Sequence, residues 1–566
     1  MSLFGALQLA SNSLQANQIA LQTVSQNISN ANTPGYARAD VNFVPAPTQK
    51  LGGVLLGLGV LVSGVTQHVD NYLEQRLRGA ASDRANSDIQ ASTYQDLEGA
   101  LNVLSDDSVN SSINKFFASI NDVINQPESA SIRNIAILNG KKLATDINNL
   151  SAKVGDLHKQ IDDQVKGTVS DANRLIEQIR KLNVQISSLE AGGAIKSDAI
   201  GLRDQRRQAL SDLSEIMNIT VSDQESSSAN VYVNGEYLVF EGTSRTLTTE
   251  TQVINGQYVT TAQIADTKSP LATSGGKLAG LVSARDDILG GFQTQLDGFT
   301  ATFANEFNKL YASGQGLKGY SSLTSVNGVQ DVGASLESAG LPNTPVSGSF
   351  QVLVKNTTTG VTQTQTINID LNGIGNDDTS LTKIRQQIDA IDGISASLTP
   401  AGKLQIVSDS PNVQFAFAND TTGTLAALGI NTFFTGNSAS TLAVNTVVSG
   451  DPQLFAAASN GIGQGAGNAI QLAGFLDKPL DAFNGATILD LRDKIVSEVS
   501  QSSAARSAIT DGFKSYEGTL LGKQLAVSGV NIDEEAVKLM AYQRAFQASA
   551  KFIATINELL DTVVNL

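Results

Sequence analysis

No cysteine occurs in the sequence, which excludes disulfides, thiolate-ligated zinc and a thiol nucleophile together. Histidine is almost as scarce. His68 and His158 lie far apart, so no H-E-x-x-H metal motif can form, and each reads as a solvated helix-face or loop residue. Tryptophan is absent and aromatic residues make up 5% of the chain, so any core rests mainly on aliphatic side chains. No window of 18 apolar residues exists, which argues against a membrane-spanning helix. Basic residues are outnumbered, 38 against 54, giving a formal charge of −16. A surface that acidic repels phosphate and argues against nucleic acid or membrane insertion as a partnership.

Charge of either sign is missing from Met1 to Ala37, and Arg38 is the first ionised side chain. A secretory signal would carry a basic n-region there, so any export is expected to follow another route. What fills the segment is a stripe. Leu3, Leu7, Ala10, Leu14, Asn17, Leu21, Val24 and Ile28 alternate gaps of four and three, the seam of a coiled coil with one polar interruption. The stripe stops at NISNANTPGYAR (27–38). Thr33 precedes a proline and is pushed out of the helical region, while Pro34-Gly35 suits the centre of a type II turn. Asn30 and Asn32 tolerate turn conformations, and Tyr36 is a candidate anchor for the exit.

The last 36 residues mirror the first. Asn531 can cap a helix, and Asp533, Glu534 and Glu535 then lie in its first turn, where the helix dipole favours negative charge. Leu539, Tyr542, Phe546, Ser549, Ile553, Ile556, Leu560 and Val563 again alternate gaps of three and four. The N-terminal stripe has no flanking charges to choose a partner, and isolated helices of this length are marginal. Both ends are therefore expected to be mobile in the single chain and to fold together on assembly.

Between the ends, residues 70 to 216 read as long helices, with a heptad from Ile147 to Ile161 that shifts phase at Val165 and resumes to Leu189 before Gly192-Gly193. The period changes towards two near Ile219. Asn234-Gly235 and Asn255-Gly256, each between apolar runs, predict two hairpins near 219–265. From 317 to 450 Thr, Asn, Ser, Gly and Val dominate, and four strand patterns flank LTKIRQQIDAI (381–391) in the order ββαββ. The expected architecture is α+β and multidomain. It comprises a terminal helical part (1–36 and 530–566) paired as a coiled coil and a long-helix bundle with a small β element (37–316 and 451–529). The third part is an inserted β-rich outer domain (317–450).

The chain offers little chemistry. GIGQGA (461–466) matches G-x-G-x-x-A on paper but follows no strand, and reads as a linker. Asn376-Asp377-Asp378 lacks the spacing of a calcium loop and reads as a turn. Asp533 to Glu535 are explained by capping. No catalytic residues, cofactor or metal site are expected, and the chain does not read as an enzyme.

NISNANTPGYAR resembles the N-terminal motif of bacterial flagellar rod, hook and hook-associated proteins, and SGVNIDEEAVKLMAYQRAFQASAKFIATINELLDTVVNL (528–566) resembles their C-terminal segment. The helical stretches 59–78, 200–222 and 275–314 resemble the hook-associated branch of that family. The resemblance implies a structural role in the flagellum, with the terminal helices lining an axial tube. Their interface residues would be Leu3, Leu7, Leu14, Leu21, Val24 and Ile28 with Leu539, Tyr542, Phe546, Ile553, Ile556, Leu560 and Val563. It further implies other copies of the chain as partners in a ring at the hook–filament junction, with hook protein below and hook-associated protein 3 above. Export by the flagellar type III route, with a chaperone on the C-terminal segment, completes the expectation. The rival readings are a hook or distal rod protein of the same family, and an exported adhesin-like protein acting through 317–450.

Overall fold

The computed structural model describes residues 3–51, 54–101, 108–190, 199–224, 227–254, 257–374, 377–463 and 465–564. The chain divides into two compact units, one of Met1–Thr93, Lys159–Asp286 and Ala504–Leu566, the other of Tyr94–His158 and Asp287–Ser503.

In the first unit the N-terminal helix spans Leu3–Ser29 and the C-terminal helix Ile532–Val564. Pro34-Gly35 makes the expected turn: the Tyr36 N–H donates to Thr33 O at 3.2 Å and Gly35 has φ +76°, the left-handed value that the third position of a type II turn requires. Two strands, Ala39–Pro45 and Val60–Gln67, then pair antiparallel from Ala39 opposite Gln67 to Pro45 opposite Val60. The helical reading of the body passed over this ribbon, although the alternation of Val41 with Phe43 and the β-branched run after Val60 carry a strand signal. Helix Ile200–Ile216 leads into a four-stranded sheet. Its central hairpin turns at Asn234 (φ +46°) and Gly235 (φ +87°), with Val233 opposite Glu236, the type I′ geometry that Asn-Gly favours. The second hairpin, Leu247–Ile254 with Gln257–Ile264, is also present; its Asn255-Gly256 lies outside the described residues.

A single helix, Ala130–Glu190, carries the stuttered heptad. Ile147, Val154, Val165, Ile176, Ile179 and Ile186 are buried, while Leu189 at the end is half exposed. Gly192-Gly193 lie outside the described residues. His158, expected in solvent, is buried on this helix. The helix is enclosed on more than the heptad face, as the burial of Asp146, Ser151 and Asp162 also shows, so a position beside the stripe is covered too.

In the second unit an aromatic cluster gathers helix Val109–Asn125, helix Gly290–Ala312 and the Phe433-Phe434 pair. Phe307 sits at its centre, fully buried, with the rings of Phe116, Phe117, Phe303, Tyr311, Phe433, Phe434 and Phe475 between 5.3 and 6.2 Å from it. Few aromatics therefore do concentrated work, a pattern that composition cannot reveal. A separate apolar core, with members from Ala312 to Leu454, belongs to the 317–450 segment. Strands Thr362–Ile369, Gly348–Asn356 and Val413–Ala418 form one sheet, and helix Leu381–Asp389 buries Leu381, Ile384 and Ile388. The second sheet adds a strand that the ββαββ order lacks, Ile394–Leu398 beside Leu404–Ser408. Its ISASL turns Ile394, Ala396 and the partly buried Leu398 toward the core, a run too short to stand out in sequence.

Removing the central ring should be costly. Phe307→Ala is expected to lower stability by about 3–5 kcal/mol, read as a shift in the urea midpoint of near-ultraviolet dichroism. A midpoint within experimental error of the parent would contradict the cluster's role.

Candidate functional site

The two terminal helices run against each other, and the expected stripe of the N-terminal helix is only partly covered. On the N-terminal helix the buried residues are Ala6, Ala10, Ala16, Ala20, Thr23, Val24 and Asn27. Of the expected seam only Ala10 and Val24 are buried; Leu3, Leu7, Leu14, Asn17, Leu21 and Ile28 are half-buried. Small side chains let two helix axes approach closely, and larger neighbours are then displaced to the flanks of the contact. On the C-terminal helix the expected face is covered to a similar degree. Ile556 is buried, and Leu539, Tyr542, Phe546, Ile553 and Leu560 are half-buried. The side chain of Val563 lies outside the described residues. Tyr542 also meets Phe43 of the first strand at 6.2 Å between ring centroids. A second set of apolar residues on this helix, Val537, Met540, Phe552 and Leu559, is exposed.

The strongest tie between the ends is polar. Asn27, in the last turn of the N-terminal helix, is fully buried. Its Nδ2 donates to Ala39 O and to Glu535 Oε2, both at 2.8 Å. Its Oδ1 accepts from the Tyr36 hydroxyl at 2.7 Å and the Ala39 N–H at 3.0 Å. All four bonding positions of the carboxamide are filled. Glu535 is also fully buried and accepts from Lys538 Nζ at 2.9 Å, which in turn reaches Asp40 Oδ1 at 2.9 Å. His68 Nε2 meets the other oxygen of Asp40 at 2.8 Å. Capping therefore does not explain Glu535. Asn531 does cap the helix, accepting from the Asp533 N–H at 3.0 Å, but Glu535 is a buried partner of the opposite terminus.

The turn is anchored from beneath by helix Ile200–Ile216. Arg207 Nη1 donates to Gly35 O at 3.3 Å and pairs with Asp204 at 3.2 Å. A Cβ on Gly35 would meet Gln208 Oε1 at 2.7 Å. Tyr36 is pushed up to about 12 by burial, with the charges of Asp204 and Glu535 adding to the effect, so it stays a neutral donor. Asn30 stabilises the turn locally, donating to Gln26 O at 3.0 Å and accepting from the Thr33 hydroxyl at 3.2 Å. Asn32 and Pro34 are exposed. Asn27 went unnoticed in the sequence, and Glu535 was assigned only to capping and the helix dipole. The available signal was an amide on the inward side of an apolar helix, matched by an acid at the inward position of the other.

Among the described residues no group of three or more His, Asp and Glu side chains is placed to hold a metal ion, and no helix is long and apolar enough to cross a membrane. Of the cation and nucleotide motifs, Asp378 accepts from the Gly373 N–H at 2.9 Å within a turn, while Asn376 and Gln464 lie outside the described residues.

Asn27→Ala would strand the Glu535 carboxylate, the Tyr36 hydroxyl and the Ala39 N–H, and is expected to cost about 2–4 kcal/mol. Faster proteolysis in the Ser528–Asn531 connection would show it, and an unchanged digestion rate would contradict it. Burial alone would raise Asp40, but hydrogen bonds from Lys538 and His68 outweigh it and hold the carboxyl below 3.8. A depressed folded value stabilises above the unfolded one and loses that contribution as pH falls through it. The stability deficit of Asp40→Asn, measured by thermal melting, should therefore shrink as the pH drops below 3.8; a constant deficit would contradict the assignment.

Three family models match the chain. The "Flagellar hook-associated protein FlgK helical domain" covers residues 94–324. The "Flagella basal body rod protein" model covers 7–36, and the "Flagellar basal body rod FlgEFG protein C-terminal" model covers 523–566. Flagellar hook-associated protein 1 of Salmonella typhimurium is 25% identical over 98% of this chain and 99% of its own length. The Escherichia coli protein of the same name is 26% identical over 98% of both. The solved flagellar hook junction protein FlgK from Burkholderia pseudomallei shares the fold, with a TM-score of 0.52 at 15% identity, over 80% of this chain and all of that one. Rod-type segments at both ends, placed where the terminal helices pair, and the helical domain between them make this chain a structural component of the bacterial flagellum, similar over nearly its whole length to flagellar hook-associated protein 1.

Proposed function

We propose that the chain is a static adaptor, assembled as a ring at the boundary between hook and filament. Its terminal helices pack into an axial tube there, while 37–316 with 451–529 forms the body and 317–450 the outer domain. One observation carries this reading. The N-terminal helix buries its alanines and leaves Leu3, Leu7, Leu14, Leu21 and Ile28 half-buried, while the C-terminal helix keeps Val537, Met540, Phe552 and Leu559 exposed. Apolar rows left open on a helix pair are faces for neighbours. Copies of the same chain would cover them within the ring, with hook protein below and hook-associated protein 3 above. The uncharged first 37 residues and the exposed apolar C-terminal helix suit export through the flagellar type III route, with a chaperone holding the C-terminal segment beforehand. Nothing in the role asks for catalysis.

Leu21→Asp places a charge on the open row and Ile556→Asp places one in the pair itself. Both are expected to leave the dichroism of the isolated chain close to that of the parent and to abolish filament attachment, seen by electron microscopy as hooks without filaments. Motile cells with normal filaments on either variant would overturn the proposal.

A further inference from the structure

Outside the terminal pair, the first unit holds a cavity of about 750 Å³ that the adaptor role does not use. Four arginines line it, Arg78, Arg203, Arg206 and Arg207, against two carboxylates, Glu74 and Asp223. In a chain of net charge −16 that is a marked local reversal of sign.

Two of the four are spoken for. Arg203 pairs with Glu190 at 2.6 Å and Arg207 with Asp204 at 3.2 Å. The other two have only long ion pairs. Arg78, with a side chain 11% exposed, approaches Glu74 only to 3.9 Å, and among the described residues its guanidinium makes no hydrogen bond. Glu74 is itself held by Gln524. Arg206, 7% exposed, donates Nη1 to Asn183 Oδ1 and Ser227 O at 2.8 Å, but its Nη2 reaches Asp223 only at 4.0 Å. A largely buried guanidinium whose carboxylates stand about 4 Å away keeps donors free for a closer anion. Burial lowers the pKa of Arg78 and pushes Arg206 down to about 10.

We infer that this cavity is an anion site, in which Arg78 and Arg206 bind a carboxylate or phosphate group by charge-assisted, fork-shaped hydrogen bonds. Two sources share that chemistry: a small free polyanion, or an acidic side chain of a second copy in the assembled ring. Arg207 lines the same cavity and also donates to Gly35 O and Gln67 Oε1, so an occupant bears on the turn from which the N-terminal helix rises.

Calorimetric titration of the full chain with pyrophosphate and with citrate, at constant ionic strength, tests the first source. Saturable binding is expected, weakened about tenfold by Arg78→Gln. That variant removes no hydrogen bond within the chain, and unchanged dichroism would confirm its fold. The second source is tested in assembled material with Arg78→Lys and a zero-length carbodiimide. A cross-link between position 78 and a carboxylate of another copy, mapped by mass spectrometry and absent from the isolated chain, would support it. Failure of both, with neither anion binding and no cross-link at position 78, overturns the inference and leaves the adaptor reading untouched.

Discussion

A fully buried carboxamide, Asn27, holds the two ends of this chain in register. An amide in an apolar contact is tolerated only when every donor and acceptor is used, since each orphaned group costs as much as several good contacts return. The four bonds to Ala39, Tyr36 and Glu535 meet that demand in one relative placement of helix, turn, strand and opposite helix. Apolar stripes can slide by a turn at modest cost. This network cannot, and so it fixes where the N-terminal helix ends and which turn of the C-terminal helix faces it.

With register set by polar groups, the apolar residues are free to divide by size. On the N-terminal helix the alanines are buried, and Leu3, Leu7, Leu14, Leu21 and Ile28 are half-buried. A pair that had buried its largest residues inward would be self-sufficient. This one leaves them half-covered, and on the C-terminal helix Glu535 and Ile556 alone are buried among the described residues. The arrangement fits a chain whose ends reach full burial against other copies, in a structural role that needs stacking and no chemistry.

Much of this was legible in the sequence because it rests on local rules. Pro34-Gly35 announced its turn, Asn234-Gly235 its hairpin and Asn531 its cap, each through a backbone preference of a few neighbouring residues. The heptad of the long helix and the inward face of the C-terminal helix came from period alone. On the N-terminal helix periodicity weighs hydrophobicity and not volume: Leu7 and Leu14 stand out in sequence, although Ala6 and Ala16 are the more deeply buried. Asn27, Glu535 and the arginines of the cavity escaped because their partners are remote in sequence, 508 positions apart for Asn27 and Glu535. The ribbon after Ala39 and the strand Ile394–Leu398 were short elements set between stronger signals.

The central claim is that the terminal pair is marginal in the single chain and becomes firm only when neighbours cover its open rows. Amide hydrogen exchange over residues 3–28 and 532–562, compared between the isolated chain and assembled material, tests it most directly. The account predicts rapid exchange of both segments in the isolated chain, beside a protected core around Phe307, and strong protection once assembled. Both segments protected in solution as fully as that core would contradict it.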